Sequence, residues 1–348
     1  MRRDKYLTVF LSGLLLLSLT LSGCVKVVEN QERKIIAVAA KKDSGSFWNA
    51  VLSGAEDAAS ENGYGLTFRG PETDGQDGLE EQKEIIRLAM ENHAVGLLVA
   101  AVGPGLADLM EDAFERNIKV IQLDSGLFDS DSYYLKKHKI SPVIASVYTN
   151  NEKAAAINAE HLFSAVRQDI AGSLVPYVVG VLQHDLSPSG RDRAKGFVDA
   201  FEALAEEDPE TRGKYRIEVV KCSTDRDNNY GKALEKLRKK GVRAVFLTNQ
   251  EAVNQVYDQI RNCPLRYDYI LFTGFDSGKK QVEWMRSTEG PKLLGSVTQD
   301  AYALGYNAAL QCVNGMEARG VTAFVEIPAA WYDKENLEEM QIKNLVFG

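Results

Sequence analysis

Short, uninterrupted apolar runs recur along this 348-residue chain, each followed by a polar turn and then by apolar residues at helical spacing. The clearest is Ile35-Ile36-Ala37-Val38-Ala39-Ala40, the pattern of a strand buried on both faces of a parallel sheet. A polar, glycine-containing turn then delivers Phe47 and Trp48 to a helix that continues through Val51, Leu52, Ala55, Ala58 and Ala59 and stops at Gly63. Further strands are predicted at Gly65–Arg69, Gly96–Ala101, Lys119–Leu123 and Val143–Val147, then at Tyr177–Leu182, Tyr215–Val220, Ala244–Thr248, Tyr269–Thr273 and Leu293–Thr298. Between them lie helical patterns at Gly78–Asn92, Leu106–Arg116, Asn151–Val166, Gly190–Leu204, Gly231–Lys240, Glu251–Arg261 and Tyr302–Asn314. Such alternation predicts an α/β fold whose parallel sheets carry helices on both faces. The stretch between Leu127 and Pro142 is polar and long for a connection. It reads as a surface excursion near a lobe boundary.

The first 23 residues do not fit this pattern. Arg2, Arg3 and Lys5 precede an apolar run that ends in Leu21-Ser22-Gly23-Cys24. That order predicts a secretory leader, since the run is short for a membrane span and small residues follow it. The closing tetrapeptide resembles a lipoprotein cleavage site, which makes Cys24 the expected lipidation residue and 24–33 a polar tether. Two acyl chains on one cysteine give stable membrane attachment where one is marginal.

The remainder is longer than one hydrophobic core usually serves, so two lobes are expected. Lysine and arginine number 41 against 49 aspartates and glutamates, a formal charge of −8. No basic run is long enough to track phosphates, which argues against nucleic acid as a partner. Cys222, Cys263 and Cys312 show no metal-ligand spacing and read as small buried apolar residues, with any pairing among them open. The four histidines form no recognisable triad, and no nucleophile elbow, His-Glu-x-x-His or phosphate loop is present. Neither catalysis, a metal nor a cofactor is expected.

In open α/β sheets ligands sit at the carboxyl ends of the strands, and several polar residues fall there. Asp124 and Asp276 each follow a strand directly, where a carboxylate can accept from two hydroxyls. Either could instead cap a turn with the serine and glycine nearby. Arg191 offers a rigid five-donor fork at the first turn of a helix, or else pairs with Asp192 or Asp185 at the surface. Asn249 and Gln299 present donor and acceptor from one amide; Asn249 also suits a helix N-cap, and Gln299 a solvated hinge position. Phe47 and Trp48 supply flat apolar plates, or are the first core residues of their helix.

Taken with Ser44-Gly45-Ser46-Phe47-Trp48, Ile121-Gln122-Leu123-Asp124-Ser125, Ser189-Gly190-Arg191-Asp192-Arg193, Phe246-Leu247-Thr248-Asn249-Gln250, Gly274-Phe275-Asp276 and Ser296-Val297-Thr298-Gln299-Asp300, the chain resembles the type I periplasmic solute-binding proteins, in the sugar-binding branch typified by the ribose-binding protein. The resemblance implies two doubly wound lobes joined by three chain crossings, one lobe formed by 34–148 plus 300–327 and the other by 149–299 plus 328–348. It implies a non-catalytic lipoprotein on the extracytoplasmic face, delivering a sugar or polyol, expected to be a monosaccharide, to an ABC permease. A sensing module of the same fold that reports to a membrane receptor kinase or chemoreceptor is the alternative. Ser125 stands where the ribose branch places an arginine, and Gly45-Ser46 where it has an asparagine-proline step. These departures argue against ribose itself.

Overall fold

The computed structural model describes residues 33–73, 75–184, 187–224 and 227–346. The leader, the tether as far as residue 32, and Cys24 lie outside the described residues. From Lys34 onward the chain forms one unit built on two six-stranded sheets.

In the first sheet, β1 (Ile35–Ala39) pairs in parallel with β2 (Gly65–Arg69) and β3 (Gly96–Val99). Next come β4 (Lys119–Leu123), β5 (Val143–Tyr148) and the late edge strand β13 (Phe324–Glu326), giving the order β13-β5-β4-β3-β1-β2. The continuous apolar runs are explained by two-sided burial. Ile36 and Val38 face one core with α1 (Ser46–Glu61) and α10 (Ala301–Met316). Ala37 and Ala39 face the other, with α2 (Gly75–Glu91) and α3 (Ala107–Glu115). Helices α1 and α10 meet at backbone contact. A Cβ on Gly54 would lie 2.1 Å from the Tyr302 carbonyl oxygen, and one on Gly305 would lie 1.9 Å from that of Val51.

The second sheet uses β6 (Tyr177–Gln183), β7 (Tyr215–Lys221), β10 (Val242–Leu247), β11 (Leu271–Phe275), β12 (Lys292–Gln299) and β14 (Ala329–Tyr332). Their order is β14-β12-β11-β10-β6-β7, with β14 antiparallel. Helices α5 (Asn151–Ala171) and α6 (Pro188–Glu207) cover one face. Helices α7 (Tyr230–Lys239), α8 (Gln250–Asn262) and α9 (Lys279–Arg286) cover the other. A two-residue ladder, β8 (Ser223–Thr224) with β9 (Asp227–Asn228), a 3-10 turn at Pro264–Arg266 and a short terminal helix α11 (Met340–Lys343) are smaller elements of the chain.

The chain passes between the sheets after β5, after β12 and between β13 and β14. These passages are neighbours. The Ile327 amide donates to the Tyr148 carbonyl at 2.8 Å, and Gln299 lies opposite Ala329.

Two expectations need correction. The polar stretch after Leu127 lies largely at the surface as expected, but it is ordered as helix α4 (Asp129–Lys137), which buries Asp131 and Leu135. The Asp131 carboxylate accepts the backbone amides of Gly105 and Ala107, tying α4 to the start of α3. Its helix has acidic residues in the first turn and lysines in the last, a charge order that favours helix over loop. Cys263, expected to be buried, is exposed at the end of α8, while Cys222 and Cys312 are buried.

Candidate functional site

The carboxyl ends of β1, β3 and β4 face those of β6, β10, β11 and β12 across a cavity of about 880 Å³, near the top of the roughly 300–1,000 Å³ of small-molecule sites. Of the residues singled out in the sequence, Phe47, Trp48, Asp124, Asn249, Asp276 and Gln299 line it. Arg191 does not.

Phe47 and Trp48 enter the wall because Gly45 breaks the chain direction just before α1. Its φ of 113° lies where glycine alone is at ease. Trp48 is only 8 % exposed and packs into the core against Phe68, while Phe47 stands edge-on to it at 5.1 Å. Both rings are therefore core and cavity wall at once.

Asp124 and Asp276 share one local design. Each is the first residue after a strand and adopts left-handed backbone geometry, φ 59° and 62°, which aspartate tolerates better than most residues. At Asp124 the turn is closed by backbone alone, the Gly126 amide donating to the Leu123 carbonyl. The carboxylate takes the Lys41 ammonium at 2.6 Å, a pair that is 19 % and 7 % exposed. Lys41, not singled out in the sequence, sits in the turn after β1 and also lines the cavity.

Asp276 is the centre of a denser cluster. Its Oδ1 accepts from Gln299 Nε2 at 2.7 Å, and its Oδ2 accepts from the Gln250 amide at 3.3 Å and Arg193 Nη1 at 3.4 Å. Arg193 is itself buried, donates to Asn151 Oδ1 at 2.7 Å and the Thr248 carbonyl at 3.1 Å, and lies 3.8 Å above the Phe275 ring. Gln299 is 2 % exposed, and its Oε1 has no hydrogen-bond partner. A buried acceptor left open at a cavity wall is costly unless something donates to it.

Arg193 occupies the place expected of Arg191. Ser187 caps α6, its Oγ accepting the Gly190 amide, which fixes the helix phase. Gly190, Arg193, Ala194 and Phe197 then share the buried face, and Arg191 falls on the exposed side. Asn249 does two jobs: Oδ1 caps α8 through the Ala252 amide at 2.8 Å, and Nδ2 donates to the Tyr230 hydroxyl at 3.3 Å. Tyr230 in turn meets His184 Nδ1 at 2.9 Å. Across the cavity, Gln250 Nε2 donates to Ser46 Oγ at 3.3 Å, linking α8 with the start of α1.

Lys41, Lys42 and Arg193 are balanced in the lining by Asp124, Glu251 and Asp276. The walls thus carry no net formal charge while offering many donors and acceptors, the chemistry of a site for a neutral, hydroxyl-rich molecule.

Two doubly wound parallel sheets, a cleft at their strand ends and three adjacent passages define the class of the two-lobed solute-binding proteins. The family model described as a periplasmic binding protein domain matches residues 36–317, and the chain belongs to that family. A solved structure described as an ABC transporter, LacI family transcriptional regulator from Brachyspira murdochii is 30% identical, with a TM-score of 0.79 over 91% of this chain and 99% of that one. A carbohydrate transporter solute-binding protein from Agrobacterium radiobacter, in complex with D-arabinose, is 20% identical with a TM-score of 0.74, over 91% and 99% of the two chains. One from Agrobacterium vitis, bound with alpha-D-tagatopyranose, is 15% identical with a TM-score of 0.75, over 91% and 100%. At those identities the last two show the shared fold alone. The comparison with curated proteins returned no match.

Proposed function

We propose that this protein is an extracytoplasmic, lipid-anchored, non-catalytic solute-binding protein. It captures a neutral, hydroxyl-rich ligand built on a monosaccharide ring and presents it to an ABC permease. The observation that carries this reading is the Asp276 cluster. A half-buried carboxylate, a buried arginine fork and a buried amide with an open acceptor converge on one wall, facing the Lys41–Asp124 pair and the Phe47 and Trp48 rings on the other. Adjacent sugar hydroxyls both donate and accept, and the ring's C–H face suits an aromatic plate. Sugars are also what the Agrobacterium structures carry in this fold.

On this reading 34–148 with 300–327, and 149–299 with 328–348, act as two lobes that close about the three passages. Ligand contacts both, so the closed state alone gains the full binding energy. The site residues are then Phe47, Trp48, Asp124, Asn249, Asp276 and Gln299, with Lys41 and Arg193 added. Cys24 is the lipidated residue, and its replacement by serine is expected to release the protein from the membrane.

The test is a thermal-shift screen of the purified protein against sugars, polyols, nucleosides and amino acids. A ligand that binds only the folded state raises the melting temperature. Stabilisation by sugars or polyols is the expected result, and stabilisation confined to amino acids or nucleosides refutes the assignment.

A further inference from the structure

Beside the main cavity lies a second one of about 460 Å³, between the ends of β4 and β5, the edge strand β13 and the first turns of α5 and α6. Asp124 and Ser189 line both, so the two spaces share a wall there. The walls of the second cavity are rich in hydroxyls, amides and carboxylates, with no lysine or arginine. Two of the hydroxyls are unusual. Thr149 is 3 % exposed, yet its Oγ1 has no hydrogen-bond partner, and the buried Oγ of Ser125 has none either. Polar atoms withdrawn from water without a partner are rare in folded proteins. At a cavity wall they are positions that a ligand's hydroxyls can satisfy. Asp192, also in the lining, points the same way: burial and the nearby Glu152 carboxylate hold its carboxyl above the usual range. A donor brought by a ligand would relieve it. At the rim stands Phe324, 73 % exposed, a flat apolar plate beside a polar pocket.

We infer that this hinge-side pocket is a second subsite, for a hydroxylated ring joined to the one in the main cleft, so that the protein takes a disaccharide or glycoside. The inference rests on the sugar reading of the main cleft. An aromatic plate beside unpartnered hydroxyls suits a saccharide ring better than an inorganic ion, which has no apolar face.

Calorimetry on the purified protein tests it, with the monosaccharides that stabilise it in the thermal screen and disaccharides that carry the same ring at either end. At least one disaccharide is expected to bind tighter than its parent ring. Thr149→Val and Ser125→Ala should each weaken that disaccharide roughly twofold to tenfold, the loss of one hydrogen bond, and leave the monosaccharide unchanged. Neither hydroxyl has a partner in the protein, so both variants should fold as the parent does, and the monosaccharide affinity is the internal control. Phe324→Ala should likewise weaken the longer ligand alone. Monosaccharides binding as tightly as every longer saccharide, or variants that weaken both ligands equally, overturn the second subsite and leave the main cleft standing. No saccharide binding of either length overturns both.

Discussion

Replacing Asp276 by asparagine separates the charge of this residue from its shape. Asparagine keeps the size and tolerates the left-handed backbone at φ 62°, whereas alanine there adds about 1–2 kcal/mol of backbone strain. The carbonyl of the new amide can still accept from Gln299 at the Oδ1 position. Its NH₂, however, would face two donors where Oδ2 now accepts, the Gln250 amide and Arg193 Nη1. Hydrogen bonds to a charged group are worth about 1.5–3 kcal/mol, but the Arg193 contact is long and Arg193 keeps Asn151 and the Thr248 carbonyl. The expected loss of unliganded stability is therefore near the bottom of that range. The ligand feels the change more directly, because a hydroxyl that donated to a carboxylate must accept a weaker partner. A loss of about 1.5–3 kcal/mol corresponds to affinity falling roughly 10-fold to 150-fold. Calorimetry with the ligand found in the thermal screen measures it, alongside a melting curve of the unliganded variant. An unchanged dissociation constant in a variant that still melts cooperatively would show that Asp276 holds only Arg193 and Gln299.

The two arginines of α6 make a matched pair. Arg191→Ala should leave ligand affinity within twofold of the parent, because this side chain is exposed and outside the cavity lining. Arg193→Lys should weaken it about tenfold or more, since an ammonium cannot lie flat on Phe275 while donating to Asn151, Thr248 and Asp276. Gly305→Ala drives a methyl into the Val51 carbonyl and should lower stability by about 1–3 kcal/mol, read as an earlier denaturant midpoint. A thiol reagent at neutral pH should label Cys263 quickly, and Cys222 and Cys312 only on unfolding. Burial pushes the Cys312 thiol from 9.0 up to about 12, so its contribution is complete below pH 9 and is lost as pH rises from there towards 12. Cys312→Ala should therefore flatten the alkaline fall in stability.

How much of this was legible depends on where each residue's partners lie along the chain. Strands buried on both faces announce themselves as unbroken apolar runs, as β1 and β3 do, and the bounds of the edge strand β2 and of β4 are the predicted ones. Helix α4 escaped because only Asp131 and Leu135 are buried along it, too sparse a stripe to outweigh its serines and aspartates. Strand β13 is three residues long, below the length at which a pattern can be read. The arginine of the cleft is a subtler case. Once Ser187 is taken as the cap, residues 190, 193, 194, 197 and 201 form one buried stripe, and a helix turns about 100° per residue. Arg193 is the charged member of that stripe, so the periodicity that located the helix also contained the choice between 191 and 193. Lys41 is different in kind. Its partner Asp124 lies 83 residues away, at the end of a strand separated from β1 by β3. Local pattern fixes which face a side chain takes; only the strand order decides which two turns share a cleft.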